Sequence, residues 1–96
     1  MKIVLQPHLK IRLKERNIPQ SYPKKIILNS EGKYHDALSG HKISIKEFEY
    51  YDKVRPMAAV YDIIEEEIQV ITVFATSYQD IETRLKNGRW VKDEKN

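Results

Sequence analysis

His8, Arg12 and Arg16 stand four residues apart near the start of the chain. On a helix turning about 100° per residue, positions four apart lie one above another, so these residues form a ridge of one imidazole and two guanidiniums. Leu9 and Leu13 flank the ridge and face inward, which places it at the border of a groove. These residue types suit cleavage of RNA. A histidine moves protons near neutral pH. Two arginines hold a phosphate bidentately and stabilise the charge built up during transfer. The internal 2′-hydroxyl is the nucleophile, so the reaction needs no metal. The same pattern also has a plain structural reading: a histidine near a helix N-terminus is often simply packed or exposed, and Arg12 can pair with Glu15 three residues on.

Other polar groups are candidates for holding RNA. Lys33-Tyr34-His35-Asp36 puts an aromatic beside two basic residues, and an aromatic of this kind can stack on a base or pack at a sheet edge. Arg55, Arg84 and Arg89 are separated in sequence but can converge at strand ends and the last helix. With Lys24, Lys33 and Tyr34 they make the candidate RNA-binding set; ordinary surface charge is the competing reading. His41, after a glycine turn, reads as a surface loop residue, and Trp90 as a structural anchor. His35-Asp36 with His41 matches no recognised metal-ligand spacing, so no metal or other cofactor is expected. Neither a glycine-rich phosphate loop nor a Gly-x-Ser-x-Gly elbow is present.

Charge is distributed unevenly along the chain. The formal net charge is +3, yet residues 1–30 hold seven lysines and arginines against Glu15 alone, a local +6. Residues 31–61 balance, 62–82 carry six acids and no base, and 83–96 return to +3. Such segregation suits a basic face for a polyanion with an acidic region elsewhere, although basic helices can also be merely solvated. With no cysteine among 96 residues, disulfide frameworks, thiolate zinc sites and thiol nucleophiles are excluded. The apolar runs are too short to cross a bilayer, and the N-terminus lacks the long apolar segment of a secretion signal. The expected location is cytoplasmic, with no membrane partner.

One domain over residues 1–92, with 93–96 as a flexible tail, must position these groups. Lys2-Ile3-Val4-Leu5 reads as a short strand stopped by Pro7, which suits the first turn of a helix over 8–16. A second helix is expected over 21–29, capped by Ser21 and burying Ile26, Ile27 and Leu28. Strands follow over 33–38, 41–51, 56–63 and 68–76. Ile43 and Ile45 share one parity and Phe48 and Tyr50 the other, which predicts a bulge near Lys46-Glu47. Residues 68–76 are apolar on both faces and belong centrally in the sheet, with Glu65–Glu67 as a solvated turn before them. Ser77 caps a last helix over 78–85. The order β-α-α-β-β-β-β-α defines an α+β fold, with two N-terminal helices on one face of a twisted, mostly antiparallel sheet.

The segment His8-Leu-Lys-Ile-Arg12-Leu-Lys-Glu-Arg16-Asn-Ile18 resembles the His-x3-Arg-x3-Arg-x-Ile signature of a family of small, mostly uncharacterised prokaryotic domains, which are similar to BrnT-like and RelE-like toxins. Tyr34-His-Asp36, Gly40, Arg55-Pro-Met-Ala-Ala-Val-Tyr61-Asp62, Val70-Ile-Thr72-Val-Phe74 and Arg84-Leu-Lys-Asn-Gly88-Arg89-Trp90 follow in the corresponding order. The resemblance implies a RelE-like fold and a metal-independent endoribonuclease of a toxin–antitoxin pair. Its substrate would be RNA, free or as ribosome-bound messenger, and its partner a cognate antitoxin. Of the signature residues, His8, Arg12 and Arg16 carry over as catalytic. A non-catalytic nucleic-acid- or protein-binding module, or a regulatory subunit, are the competing expectations.

Overall fold

The computed structural model describes residues 1–93. Strand β1 (Lys2–Leu5) leads into helices α1 (Pro7–Glu15) and α2 (Tyr22–Leu28). Then come β2 (Gly32–Asp36), β3 (Lys42–Tyr50), β4 (Lys53–Ile64), β5 (Glu67–Ala75), α3 (Tyr78–Lys86) and β6 (Trp90–Lys92). The strands form one mixed sheet in the order β1-β5-β4-β3-β2-β6, with β1 parallel to β5 and the other pairs antiparallel. The fold is α+β, with three helices and six strands among the described residues. The sixth strand is an addition to the expected order. Trp90 does return to the body, but it does so by pairing with Asp36 at the edge of β2. Asp93, expected in the tail, contacts the sheet: its N–H donates to the Lys33 carbonyl and its carboxylate meets His35 Nδ1 at 2.7 Å. The rest of the expected tail, 94–96, lies outside the described residues.

Helix α1 starts where Pro7 needs no N–H partner and buries Leu9 and Leu13 on one side. It stops because Asn17 adopts φ 58°, and the Ile18 N–H then reaches back to the Leu13 carbonyl at 2.8 Å. The Asn17 N–H closes on Lys14, which satisfies two carbonyls the helix end would otherwise leave open. Ile18 is thereby pulled into the core beside Leu13. Helix α2 buries Pro23, Ile26 and Ile27, whereas Leu28 is 61% exposed. One further residue of helix turns the side chain about 100° away, so Leu28 does not join the buried side as expected. Ser21 makes no side-chain cap and contributes its carbonyl to Lys25 instead.

Both faces of the sheet are covered. On one, α1 and α2 pack with Met57, Ala59, Tyr61, Val70 and Val73, joined by Phe48 and Tyr50. On the other, Ile81 and Leu85 of α3 pack with Ile43, Ile45, Ala58, Val60, Phe74 and Trp90. This explains why no bulge forms near Lys46-Glu47. The β3–β4 register runs unbroken from Lys42↔Tyr61 to Tyr50↔Lys53, and the two apolar parities of β3 simply serve two different cores. The irregularity lies between Val60 and Tyr61, whose partners are Thr72 and Val70, so Ile71 is skipped.

Strand β5 is internal for only half its length. Its pairing with β1 ends at Val70, where the chain turns away into α1. Beyond that point one side of β5 has no strand to bond to.

Candidate active site

The β2–β3 turn brings the chemistry together. Asp36 ends β2, and its Oδ1 accepts the N–H groups of Leu38 and Ser39 at 2.9 and 3.0 Å. Gly40, at φ 80°, closes the turn by donating to the Asp36 carbonyl, and the Asp36 N–H donates to the His41 carbonyl. His41 thus enters β3 on the parity of Ile43, toward α3. The β3–β4 register then sets it against Asp62, and His41 Nδ1 lies 2.7 Å from Asp62 Oδ1. A neutral imidazole in this pair donates its Nδ1–H to the carboxylate and leaves the Nε2 lone pair free. Both side chains are about one-third exposed, so water and ligand can reach them.

Two arginines share this end of the sheet. Arg84, in the last turn of α3, holds its guanidinium carbon 4.9 Å from the centre of the Trp90 ring. Trp90 is 2% exposed and stacks on Tyr34 at 5.8 Å, which gives Arg84 a fixed platform. Arg89 donates from Nε to Asp36 Oδ2 at 2.9 Å. The Ser39 N–H, helped by the Leu38 N–H and Arg89, holds the Asp36 carboxyl below its usual range against the opposing effect of burial. Asp36 therefore remains an anion that orients Arg89. Neither the Arg84 guanidinium nor the terminal nitrogens of Arg89 have an acidic partner among the described residues.

A cavity of about 180 Å³ lies between these groups. Its walls are Asp36, Ser39, His41, Arg84 and Arg89, and Ile43, Val60, Phe74 and Trp90 form the floor. A second cavity, of about 540 Å³, adjoins it across the two arginines. A proton-transferring histidine, an orienting carboxylate and two cations over an apolar floor can bind a phosphodiester and move a proton beside it.

The α1 ridge is placed differently from its sequence expectation. His8 and Arg12 are exposed on the helix, on the side of the sheet away from this cavity. No ion pair joins Arg12 to Glu15 among the described residues. Arg16 is half-buried and occupied: Nη1 donates to the Val73 carbonyl at 2.8 Å and to Thr72 Oγ1 at 3.2 Å. It covers the stretch of β5 that β1 leaves open. The Arg16 carbonyl in turn accepts the Tyr50 hydroxyl.

Of the candidate RNA-binding residues, Arg84 and Arg89 come together, with Tyr34 supporting Arg84 through Trp90. Arg55 does not join them, because it pairs across from Phe48 and donates to the Tyr50 carbonyl. Lys24 and Lys33 are exposed on α2 and β2. His35 and His41 point to opposite faces, and His35 meets Asp93. The pair His41–Asp62 was not foreseen from the sequence. A two-residue turn at Tyr51-Asp52 would have been the signal, since it sets 41 opposite 62.

Compared with known proteins, the chain matches no family model, no curated protein and no solved structure.

Proposed function

We propose that this protein is a metal-independent endoribonuclease of toxin type, with its reaction centre in the α3-face cavity. The observation that carries the reading is the His41–Asp62 pair, at 2.7 Å, beside Arg84 and Arg89 over one apolar floor. His41 Nε2 takes the proton of a 2′-hydroxyl as that oxygen attacks the neighbouring phosphorus. The P–O5′ bond breaks, the 5′-oxygen takes up a proton from water, the imidazolium of His41 returns its proton to solvent, and a 2′,3′-cyclic phosphate remains on the other product. Arg84 and Arg89 stabilise the phosphorane charge, and Asp62 keeps the imidazole in the tautomer that accepts the proton. A RelE-like fold is part of the proposal. The element order from β1 to α3, with β1 returning parallel to β5, supports it. The corresponding partners are cellular RNA, free or ribosome-bound, and a cognate antitoxin.

The test is growth arrest on induction, together with cleavage of purified RNA in EDTA by the wild type and four variants. His41→Ala and Arg84→Ala should lose cleavage, while His8→Ala and Arg12→Ala should retain it. The reverse pattern would return the reaction to the α1 ridge, and intact RNA with all proteins would remove the nuclease reading.

A second reading is favoured by one observation. Lys10, Arg12, Lys14, Lys24 and Lys25 are exposed on α1 and α2, on the sheet face opposite the cavity. A non-catalytic nucleic-acid-binding module could use that basic face. Salt-sensitive binding of RNA that stays intact, lost on reversing those lysines, would support it.

A further inference from the structure

The Arg84–Arg89 pair separates two cavities of different chemistry, and the larger contributes nothing to the phosphate chemistry described above. We propose that this cavity, lined by Ala37, Leu38, Arg84, Asn87, Gly88 and Arg89, is a nucleobase subsite that selects keto bases, guanine and uracil, over adenine and cytosine. The inference rests on the RNA-cleavage reading and specifies the substrate of the same site.

The side-chain polar groups available there are donors. Asn87 Oδ1 already accepts the Arg89 N–H at 2.9 Å, which fixes the amide and leaves its NH2 to be used. Arg84 has no acidic partner among the described residues, and Arg89 uses only Nε on Asp36. The cavity volume of about 540 Å³ falls within the roughly 300–1,000 Å³ of small-molecule sites. Access is open. Gly88 has nothing within 4 Å of where a Cβ would stand, and Leu38, 80% exposed, offers an apolar surface to a ring.

The side-chain donors of Arg84, Arg89 and Asn87 complement an edge of acceptors. Guanine presents O6 and N7, and uracil presents O4. Adenine keeps the N7 acceptor but sets its N6 amino group where guanine has O6, and cytosine sets its N4 amino group where uracil has O4, so in each a donor faces a donor. Unstacked bases of single-stranded RNA expose these edges. The smaller cavity, floored by Ile43, Val60, Phe74 and Trp90, offers apolar surface that any base can stack on. One nucleoside is therefore read and its neighbour is not, with the phosphate between them on the arginines.

Asn87→Asp is the discriminating variant, because its carboxylate still accepts the Arg89 N–H while the NH2 becomes an acceptor. The new charge weakens phosphate binding to every substrate, so the readout is the ratio among bases. Two measurements are needed: sequencing of the ends produced from random-sequence RNA, and anisotropy binding of tetranucleotides blocked by a 2′-deoxy group, with G, U, A or C at each position flanking the blocked phosphate. The wild type should favour G and U at one flanking position by about fivefold to tenfold, the low end for base-edge hydrogen bonding. Asn87→Asp should erase or invert that ratio. Cleavage without a keto preference, or with one unchanged in Asn87→Asp, overturns the subsite and leaves the nuclease reading standing. Keto-selective, Asn87-dependent binding with no cleavage supports the subsite and removes the nuclease. Neither binding nor cleavage removes both.

Discussion

Replacing Arg16 with alanine separates a structural role from a catalytic one. The substitution removes two bonds donated by a charged group, one to the Val73 carbonyl at 2.8 Å and one to Thr72 Oγ1 at 3.2 Å. Hydrogen bonds to charged groups contribute about 1.5–3 kcal/mol each. Arg16 is only half-buried, so water can take over part of the loss, and the longer bond is the weaker one. Together these give a destabilisation of about 2–3 kcal/mol. In a domain of this length each kcal/mol moves the midpoint by about 4–8 °C, so Tm should fall by roughly 10–20 °C.

Urea unfolding followed by the fluorescence of Trp90, the single tryptophan, measures this directly. Trp90 belongs to the opposite core, so a loss seen there reports the whole domain and not only the β5 edge. Arg16→Lys can keep one donated bond and should fall about midway. RNA cleavage per folded molecule should be unchanged in both variants. A stability within about 0.5 kcal/mol of wild type, the size of an ordinary surface substitution, combined with lost cleavage would refute the edge-covering role and make Arg16 a ligand-binding residue.

Other outcomes follow from the same contacts. His41→Ala should lower RNA cleavage by about 10²–10⁴-fold, the usual share of general acid–base catalysis, and Asp62→Asn by less, because the imidazole remains. Asp36 has a folded pKa held below its ordinary value, so its contribution to stability is complete above about pH 4 and is lost as pH falls through the depressed value. Glu31, held low chiefly by the Glu47 N–H, acts in the same direction, so Asp36→Asn should shallow the acid limb of a pH–stability curve without abolishing it. Glu65 and Glu66 occupy the β4–β5 turn at φ 50° and 68°, and Glu66→Gly should gain about 1 kcal/mol in a urea melt by relieving the left-handed backbone. Ser77 accepts the Asp80 N–H at 3.0 Å, so Ser77→Ala should cost about 1 kcal/mol by the same measurement.

What the sequence made legible was local. The Pro7 start, the Leu9–Leu13 buried side and the Ser77 cap are properties of neighbouring residues, and each appears in the structure. The apolar pattern of β3 was equally visible, but its meaning depended on how many faces of the sheet are covered. Ile43 and Ile45 with Phe48 and Tyr50 imply a bulge if one core exists and none if two do. The second core is built by α3 and Trp90, whose side of the sheet no local pattern states. Arg16 illustrates the same limit. Its spacing from His8 and Arg12 predicted one helical ridge, yet Arg16 is the cap just beyond α1 and its partner is a carbonyl 57 positions away, left open because β1 is four residues long and its pairing stops at Val70.

The two histidines flanking the β2–β3 turn show how far register alone can assign chemistry. His35 precedes Asp36 and shares a face with Lys42, whereas His41 follows Gly40 and shares a face with Ile43. Each finds a carboxylate at 2.7 Å, Asp93 for one and Asp62 for the other. A carboxylate beside a histidine is therefore not what distinguishes them. The difference is on which face each pair lies: His35–Asp93 ties the end of β6 to the sheet near Lys42, while His41–Asp62 borders the cavity that Arg84 and Arg89 also reach. Slipping β2 or β3 by one residue would exchange those faces and separate the imidazole from both arginines. Asp36 opposes such a slip. Its carboxylate holds the turn through Leu38 and Ser39 and holds Arg89 through Nε, and its N–H holds the His41 carbonyl. The residue that fixes the hairpin register thus also holds Arg89 near the His41 imidazole, so this part of the candidate site is set by the same contacts that close the β2–β3 turn, while Arg84 is placed by α3 and Trp90.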